Sequence, residues 1–309
     1  MKLTLVICTY NRSQLLLKAL ASINNADKPA HVDFKILIIV NACADDTVEQ
    51  LQAYQNQSTA THLLPIQFIE ELNAGKSYAL NNALSQIDEG WIGFIDDDHR
   101  IDEQYLNSVI TAINCYPDAR LFCGKIIPDW TGNEPDWVHD DGNYKITPFP
   151  IPNFNLGDKV LSTLEELFIP GGGNLIVNKK VFDIIGNFSE VLGPVGHNLM
   201  GSEDSDFVLR AIKAKQKLVY IPMIIQYHYV ELNHLKLSYL ILKSFQRNRS
   251  ITLAHFPKKT KIPKYLWAKL GQYIICIVFN FKVKPVRFYL TKSAGIVGQI
   301  IGHIQSLHQ

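Results

Sequence analysis

No aspartate or glutamate follows Glu231 in this 309-residue chain. Residues 232–309 hold thirteen of the thirty Lys/Arg and so carry +13, while the other seventeen against 29 acids leave residues 1–231 at −12. The near-neutral total of +1 therefore hides two parts suited to different partners. Cysteine is scarce: Cys8, Cys43, Cys115, Cys123 and Cys276 form no C-x-x-C pair and no zinc-like spacing. That excludes a disulfide framework and predicts reduced thiols in a cytosolic compartment. The tail has no uncharged apolar stretch long enough to span a bilayer, since Lys269 interrupts the longest candidate. At the N-terminus only Lys2 precedes Leu3–Cys8, and no small-residue cleavage site follows, which predicts a first strand and not a signal peptide. Internal repeats and low-complexity tracts are absent too. With 47% hydrophobic residues, the chain can bury one large core, with or without an appended piece.

Leu3–Cys8 is a short β-branched run, followed by Thr9-Tyr10-Asn11-Arg12 and a helical pattern at Leu15, Leu16, Ala19, Leu20 and Ile23. Phe34–Val40 predicts a buried parallel strand and Asp46–Tyr54 the next helix. Ile66–Ile69, Lys76–Leu84 and Trp91–Ile95 continue the alternation up to Asp96. This order predicts a doubly wound α/β sheet. Such sheets bind ligands at the carboxyl ends of their strands, which directs attention to Thr9–Arg12, Asn41–Thr47, Glu70–Lys76 and Asp96–His99. Residues 128–160, rich in proline and containing Trp130 and Trp137, predict a long functional loop. Strand and helix signals resume at Leu175–Val177, Val181–Ile185 and about Ser202–Lys215, and Leu218–Ile221 predicts a last strand before His228.

Two acidic clusters stand out. Asp96-Asp97-Asp98 crowds like charges at a strand end, which a hard divalent ion shared with substrate phosphates would relieve, although a solvated acidic turn has the same composition. Glu203-Asp204 follows the good N-cap Ser202 and precedes an apolar face of Phe207, Val208, Ala211 and Ile212. A helix N-terminus favours negative charge in its first turn, which suits a proton-accepting carboxylate as well as a plain dipole-complementing pair.

Five blocks, taken in order, resemble the family 2 glycosyltransferases of the GT-A fold: Leu5–Arg12, Ile39–Thr47, Glu71–Ser77, Asp96–Asp98 and Glu203–Arg210. The resemblance runs from about residue 3 to His228. It implies a Rossmann-like mixed sheet flanked by helices, followed here by a C-terminal amphipathic helical tail, with a boundary at 231/232. It also implies an inverting, metal-assisted hexosyl transfer from a nucleotide-sugar donor, a UDP-sugar first, to a glycan or lipid-linked acceptor, as in polysaccharide biosynthesis. Residue by residue, Thr9, Tyr10, Asn11, Arg12, Asn41, Lys76, Asp96 and Asp97 would contact the donor. Asn41 stands where the family often has an aspartate that reads uracil. Asp98, Asp96 and His228 would hold Mn²⁺ or Mg²⁺, with histidine favouring Mn²⁺. Asp204 would be the base and Glu203 would orient it or the acceptor. Gly172 and Gly173 offer close backbone approach, and Trp130 and Trp137 offer sugar-stacking faces, for the acceptor.

In the tail, Leu266, Trp267, Leu270, Tyr273, Ile274, Ile277, Val278 and Phe281 form one helical stripe, and Ile296, Val297, Ile300, Ile301, Ile304 and Leu307 a second. With Lys258, Lys259, Lys261, Lys282, Lys284 and Arg287 they predict a helical surface at 258–309 for anionic membrane, not nucleic acid. The enzyme would then sit peripherally on the cytoplasmic face of the cell membrane; packing on protein is the alternative use of the same stripes. Two other functions share part of the pattern. A sugar-phosphate nucleotidylyltransferase would need a Gly-rich basic loop after the first strand, which Thr9–Arg12 is not. A non-catalytic carbohydrate- or nucleotide-binding module would have no need of both Asp98 and Asp204.

Overall fold

The computed structural model describes residues 1–58, 63–140, 142–162, 169–190, 203–255 and 261–307. Two compact units emerge, one of Met1–Asp129 with Pro152–Tyr229 and one of Trp130–Ile151 with Val230–Gln309. Residues 130–151 thus group with the tail, a crossing that a linear division at 231/232 does not contain.

The first unit is a mixed eight-stranded sheet flanked by helices. Its parallel half alternates as predicted: β1 (Lys2–Thr9), α1 (Ser13–Asn25), β2 (Asp33–Asn41), α2 (Thr47–Ser58), β3 (Ile66–Glu71), α3 (Lys76–Ser85) and β4 (Trp91–Asp96). β1 pairs in parallel with both β2 and β4, and β2 with β3, so all four carboxyl ends open on one edge. Buried Leu, Ile and Val from β1 and β2 form cores on both faces of the sheet, which is why these strands read as continuous apolar runs.

The second half of the sheet was less visible in the sequence. β5 (His99–Ile101), α4 (Tyr105–Cys115) and β6 (Leu121–Asp129) precede β7 (Leu175–Asn178), α5 (Lys180–Ile185), α6 (Glu203–Lys213) and β8 (Leu218–Tyr229). The order across the sheet is β3-β2-β1-β4-β7-β6-β8-β5, with β7 antiparallel to β4 and β6, and β5 antiparallel to β8. β8 runs on to Tyr229, so His228 lies on a strand and not after one. Pro222 interrupts the reading but not the strand, because the β6–β8 ladder shifts register between Cys123 and Lys125. Gly124 sits at that shift, where a Cβ would lie 1.8 Å from the Ile224 carbonyl oxygen.

The second unit contains α7 (Leu237–His255), α8 (Lys264–Phe279) and α9 (Val283–Leu307). Leu266, Ile296 and Ile300 form its small helical core, with Ile262, Leu270, Tyr273 and Ile304 packed around them. α9 approaches α7 along Gly295, Gly298 and Gly302; a Cβ on Gly298 would lie 2.2 Å from the Phe245 carbonyl oxygen. The second stripe of the sequence is therefore mainly a packing face. The first stripe divides, with Leu266 and Leu270 turned inward and Trp267, Ile274, Val278 and Phe281 exposed. Lys258 and Lys259 lie outside the described residues, while Lys284 and Arg287 both face Asp140, at 2.6 and 3.6 Å. None of the described helices is long and apolar enough to cross a membrane.

Candidate active site

The strand ends bring the acidic run and its cations together. Lys76, the first residue of α3, donates to Asp96 Oδ1 at 2.6 Å. Arg12, just before α1, reaches Asp97 at 3.1 Å and Asp98 at 2.7 Å. Thr9 Oγ1, at the end of β1, donates to Asp97 Oδ2 at 2.8 Å. Burial resists ionisation of Asp96, but Lys76, His99 and His228 outweigh it and hold this carboxyl well below the usual range. Asp97 goes the other way: burial and then repulsion from Asp98 push it well up, against Arg12 and Thr9. Asp97 is thus held by Thr9 and Arg12, and Arg12 also reaches Asp98.

His99 closes a segment that the sequence singled out, Asp96–His99, but no role was expected of it. Its Nδ1 lies 2.7 Å from Gln226 Oε1. The two N–H of Gln226 Nε2 are shared among Phe94 O, Tyr105 Oη and Asn174 Oδ1, all within 3.2 Å, so Gln226 Oε1 must be the acceptor and His99 Nδ1 the donor. His228 Nδ1 likewise donates to the Tyr229 carbonyl at 2.6 Å. Both rings thus turn bare Nε2 atoms toward Asp98, at 3.8 Å from His99 and 3.6 Å from His228. β5 and β8 pair these two histidines directly, and Arg100, bonded to Asp129 and stacked 3.8 Å from the Tyr227 ring, pins the pair of strands. The His99 Nε2 is buried without a hydrogen-bond partner among the described residues. Burial also lowers the His228 pKa, which favours neutral imidazole.

Ligand atoms of Asp98, His99 and His228 lie within 4.8 Å of one another. A carboxylate and two imidazoles, each fixed through its other nitrogen, form a donor set that suits a divalent transition ion. The orphaned Nε2 of His99 is the observation that makes the fit, and it shifts the expected set from Asp98, Asp96 and His228 toward Asp98, His99 and His228. Asp96 stays near, at 3.9 Å from His99 Nε2, but spends one oxygen on Lys76.

Across the crevice, Asp204 and Glu203 open α6 as predicted; the proposed N-cap Ser202 lies outside the described residues. Asp204 Oδ2 accepts from the Gly172 N–H at 2.7 Å, and Oδ1 from the Ser205 N–H at 2.6 Å. Gly172–Asn174 form a short 3-10 turn before β7. A Cβ on Gly172 would lie 3.0 Å from Asp204 Cβ, and one on Gly173 only 2.5 Å from Asp96 Oδ2 and 2.8 Å from His99 Cε1. The glycines permit close approach, as expected, but of the site's own side chains. Glu203 is buried, its Oε2 has no partner among the described residues, and burial raises its pKa against the pull of Lys76. Asp96, Lys76, Gly172, Glu203 and Asp204 line one small pocket.

Several expected donor contacts have other employment. Buried Asn41 donates to the Glu71 and Asn73 carbonyls and accepts from the Gly75 N–H, so its amide clamps the loop after β3 and is not free to read a base. Asn11, at φ 52°, uses Oδ1 to hold the Ala44 N–H at 2.7 Å and so ties two strand-end loops together. Tyr10, beside it, is half-buried. Trp130 and Trp137 belong to the second unit, where they pack with Phe149 against Val138, Ile151, Val230 and Leu235. Arg287 stacks 4.7 Å from the Trp137 ring. Both indoles are half-buried and take part in this local packing.

The fold is that of a GT-A glycosyltransferase. Residues 4–185, more than half of the chain, match glycosyl transferase family 2, and the protein belongs to that family. Among solved structures, Staphylococcus aureus TarS 1–349 is similar at a TM-score of 0.56 and 16% identity, over 99% of this chain and 91% of that one. Its complex with UDP-GlcNAc aligns at 0.58 and 14%, with the same coverage. The Pyrobaculum calidifontis mannosyltransferase PcManGT, in complex with GDP-Man and Mn²⁺, aligns at 0.59 and 14%, over 98% of this chain and 86% of that one. No curated protein matches the chain in sequence.

Proposed function

We propose that this glycosyltransferase moves a hexose from a nucleoside-diphosphate donor to a hydroxyl of a glycan or lipid-linked acceptor, with inversion at the anomeric carbon. The observation that carries the reading is the Asp204 carboxylate, held by the Gly172 and Ser205 N–H groups in the pocket that also contains Asp96 and Lys76. Asp204 takes the proton of the acceptor hydroxyl as its oxygen attacks, and the bond to the diphosphate breaks on the opposite face of the carbon. Glu203, next to Asp204 in the first turn of α6, orients the base or the acceptor. Lys76, kept protonated by Asp96 and Glu203 despite its burial, supplies positive charge near the departing phosphates. Asp98, His99 and His228 would hold a divalent ion, Mn²⁺ before Mg²⁺, which would offset the diphosphate charge. With Asn41 engaged by backbone, a uridine donor rests on the family's habits and on the UDP-GlcNAc complex of a relative, and guanosine remains the second choice given the GDP-Man complex of another.

A panel of sugar nucleotides with Mn²⁺, followed by nucleoside-diphosphate release and by NMR of the product anomer, tests this. One donor should turn over with inverted configuration; a retained anomer would refute the mechanism. The same proposal places the enzyme peripherally on the cytoplasmic face of the membrane, because Trp267, Ile274, Ile275, Val278, Phe279 and Phe281 are exposed near Lys261, Lys264 and Lys282. Phe281, 97% exposed, has no packing role to lose. Phe279→Ser with Phe281→Ser, 75% and 97% exposed, should leave the melting temperature nearly unchanged and sharply reduce sedimentation with anionic vesicles; undiminished sedimentation would remove the membrane from the account.

A further inference from the structure

The second unit contains a cleft of about 270 Å³ between α7, α8, α9 and the 146–150 segment. That is close to the low end of the ~300–1,000 Å³ range of small-molecule sites. Four cations line it, Lys243, Arg247, Lys269 and Lys292, and among the described residues no carboxylate does. Lys243 Nζ donates to the Pro150 carbonyl at 2.8 Å, and Lys292 Nζ to Thr147 O at 3.0 Å and Oγ1 at 3.2 Å. Carbonyl and hydroxyl oxygens orient an ammonium but do not neutralise it. Burial and neighbouring Arg247 lower the Lys243 pKa, and burial and Lys269 lower that of Lys292. Asp140 pairs with the tail cations Lys284 and Arg287, which do not line the cleft.

A solvated basic face would spread such charges into water. Here the fold draws two of them half-inside and sets a third and fourth, both exposed, at the mouth. Gathering four like charges with no carboxylate among the described lining residues destabilises the unit, and an anion of multiple charge removes that cost. A single carboxylate carries too little charge for four cations. Phosphoryl oxygens match the point donors of lysine and the fork of Arg247.

We propose that this cleft is a phosphoryl-binding site, with Lys243 and Lys292 as its inner contacts and Arg247 and Lys269 at its rim. The ligand is a phosphate ester or diphosphate, either on a soluble molecule or on a lipid headgroup. The exposed Trp267, Ile274 and Ile275 on the same helix as Lys269 give the lipid source a surface to come from.

The full chain, in EDTA, is titrated calorimetrically with pyrophosphate and sedimented separately with phosphatidylglycerol and phosphatidylcholine vesicles. Lys243→Gln/Lys292→Gln tests the inner pair. Arg247→Glu/Lys269→Glu, at exposed positions that folding does not need, keeps the question answerable if the first variant fails to fold. At least one anionic probe should bind the parent, and each variant should weaken it about ten-fold or more, as expected for lost charge-assisted hydrogen bonds. Pyrophosphate binding of this kind identifies a soluble phosphate as sufficient, and binding of phosphatidylglycerol vesicles alone identifies the headgroup. If neither probe binds, or if both variants bind as the parent does, the site does not exist.

Discussion

At the strand ends of the first unit, Asp96 meets Lys76, and Asp97 and Asp98 meet Arg12, whereas in the helical unit four cations share a cleft with no described carboxylate. The acidic floor carries its own exchangeable counter-ions: Arg12 holds an oxygen of Asp98 that a metal ion would claim. The crowding of Asp96, Asp97 and Asp98 is thereby tolerable before any ligand arrives, and the site is organised in advance. The helical cleft has no such internal answer. One cluster is matched by cations of its own chain, and the other is, on the proposal made above, completed by an outside anion.

The comparison can be broken from either side. The largest effect is expected from Asp98→Asn, which keeps the shape but removes the charge shared by Arg12, His99 and His228; turnover should fall by about a thousand-fold or more, since metal-assisted charge stabilisation is worth several kcal/mol. Normal turnover in that variant would show that the floor holds no catalytic ion. Next comes Gln226→Met, which frees His99 to turn. Outer-shell changes of this kind cost about 10–100-fold in metal affinity, read here by Mn²⁺ titration under electron spin resonance, and unchanged affinity would return His99 to a structural role. Smallest is Gly298→Ala in α9, where the added Cβ meets the Phe245 carbonyl. It should destabilise the helical unit by about 1–3 kcal/mol in thermal melts and weaken pyrophosphate binding while Mn²⁺ binding at the strand ends persists. Loss of both together would mean that the two units do not act separately.

Much of the first unit was legible because parallel strands buried on both faces are unbroken apolar runs, and the turns between them carry the polar residues. Asp96–Asp98 and the Glu203-Asp204 pair were visible as acids at element ends. His99 carried a signal that went unused, a histidine directly after the acidic run. Gln226 carried another, two residues before His228 and hence on the same strand face. Tyr105 and Asn174 complete that network from far along the chain, and no local pattern reports such meetings. Asn41 and Asn11 lie at the ligand-binding edge as expected, and their amides bond to the backbone of neighbouring loops, a use that no local pattern reports. In the tail, periodicity defined the stripes, while the choice between packing and exposure depended on where Gly295, Gly298 and Gly302 allow α7 to sit.

The most direct test is Asp204→Asn, assayed on one preparation for turnover and for donor binding by calorimetry. The asparagine can still accept from the Gly172 or Ser205 N–H but cannot take a proton at neutral pH. Turnover should fall by about 10²–10⁴-fold, the usual contribution of a positioned general base, while donor affinity in Mn²⁺ stays within a factor of two or so of the parent. Turnover that survives the substitution, with donor binding intact, would contradict the assignment of Asp204 as the base and the account of the site built around it.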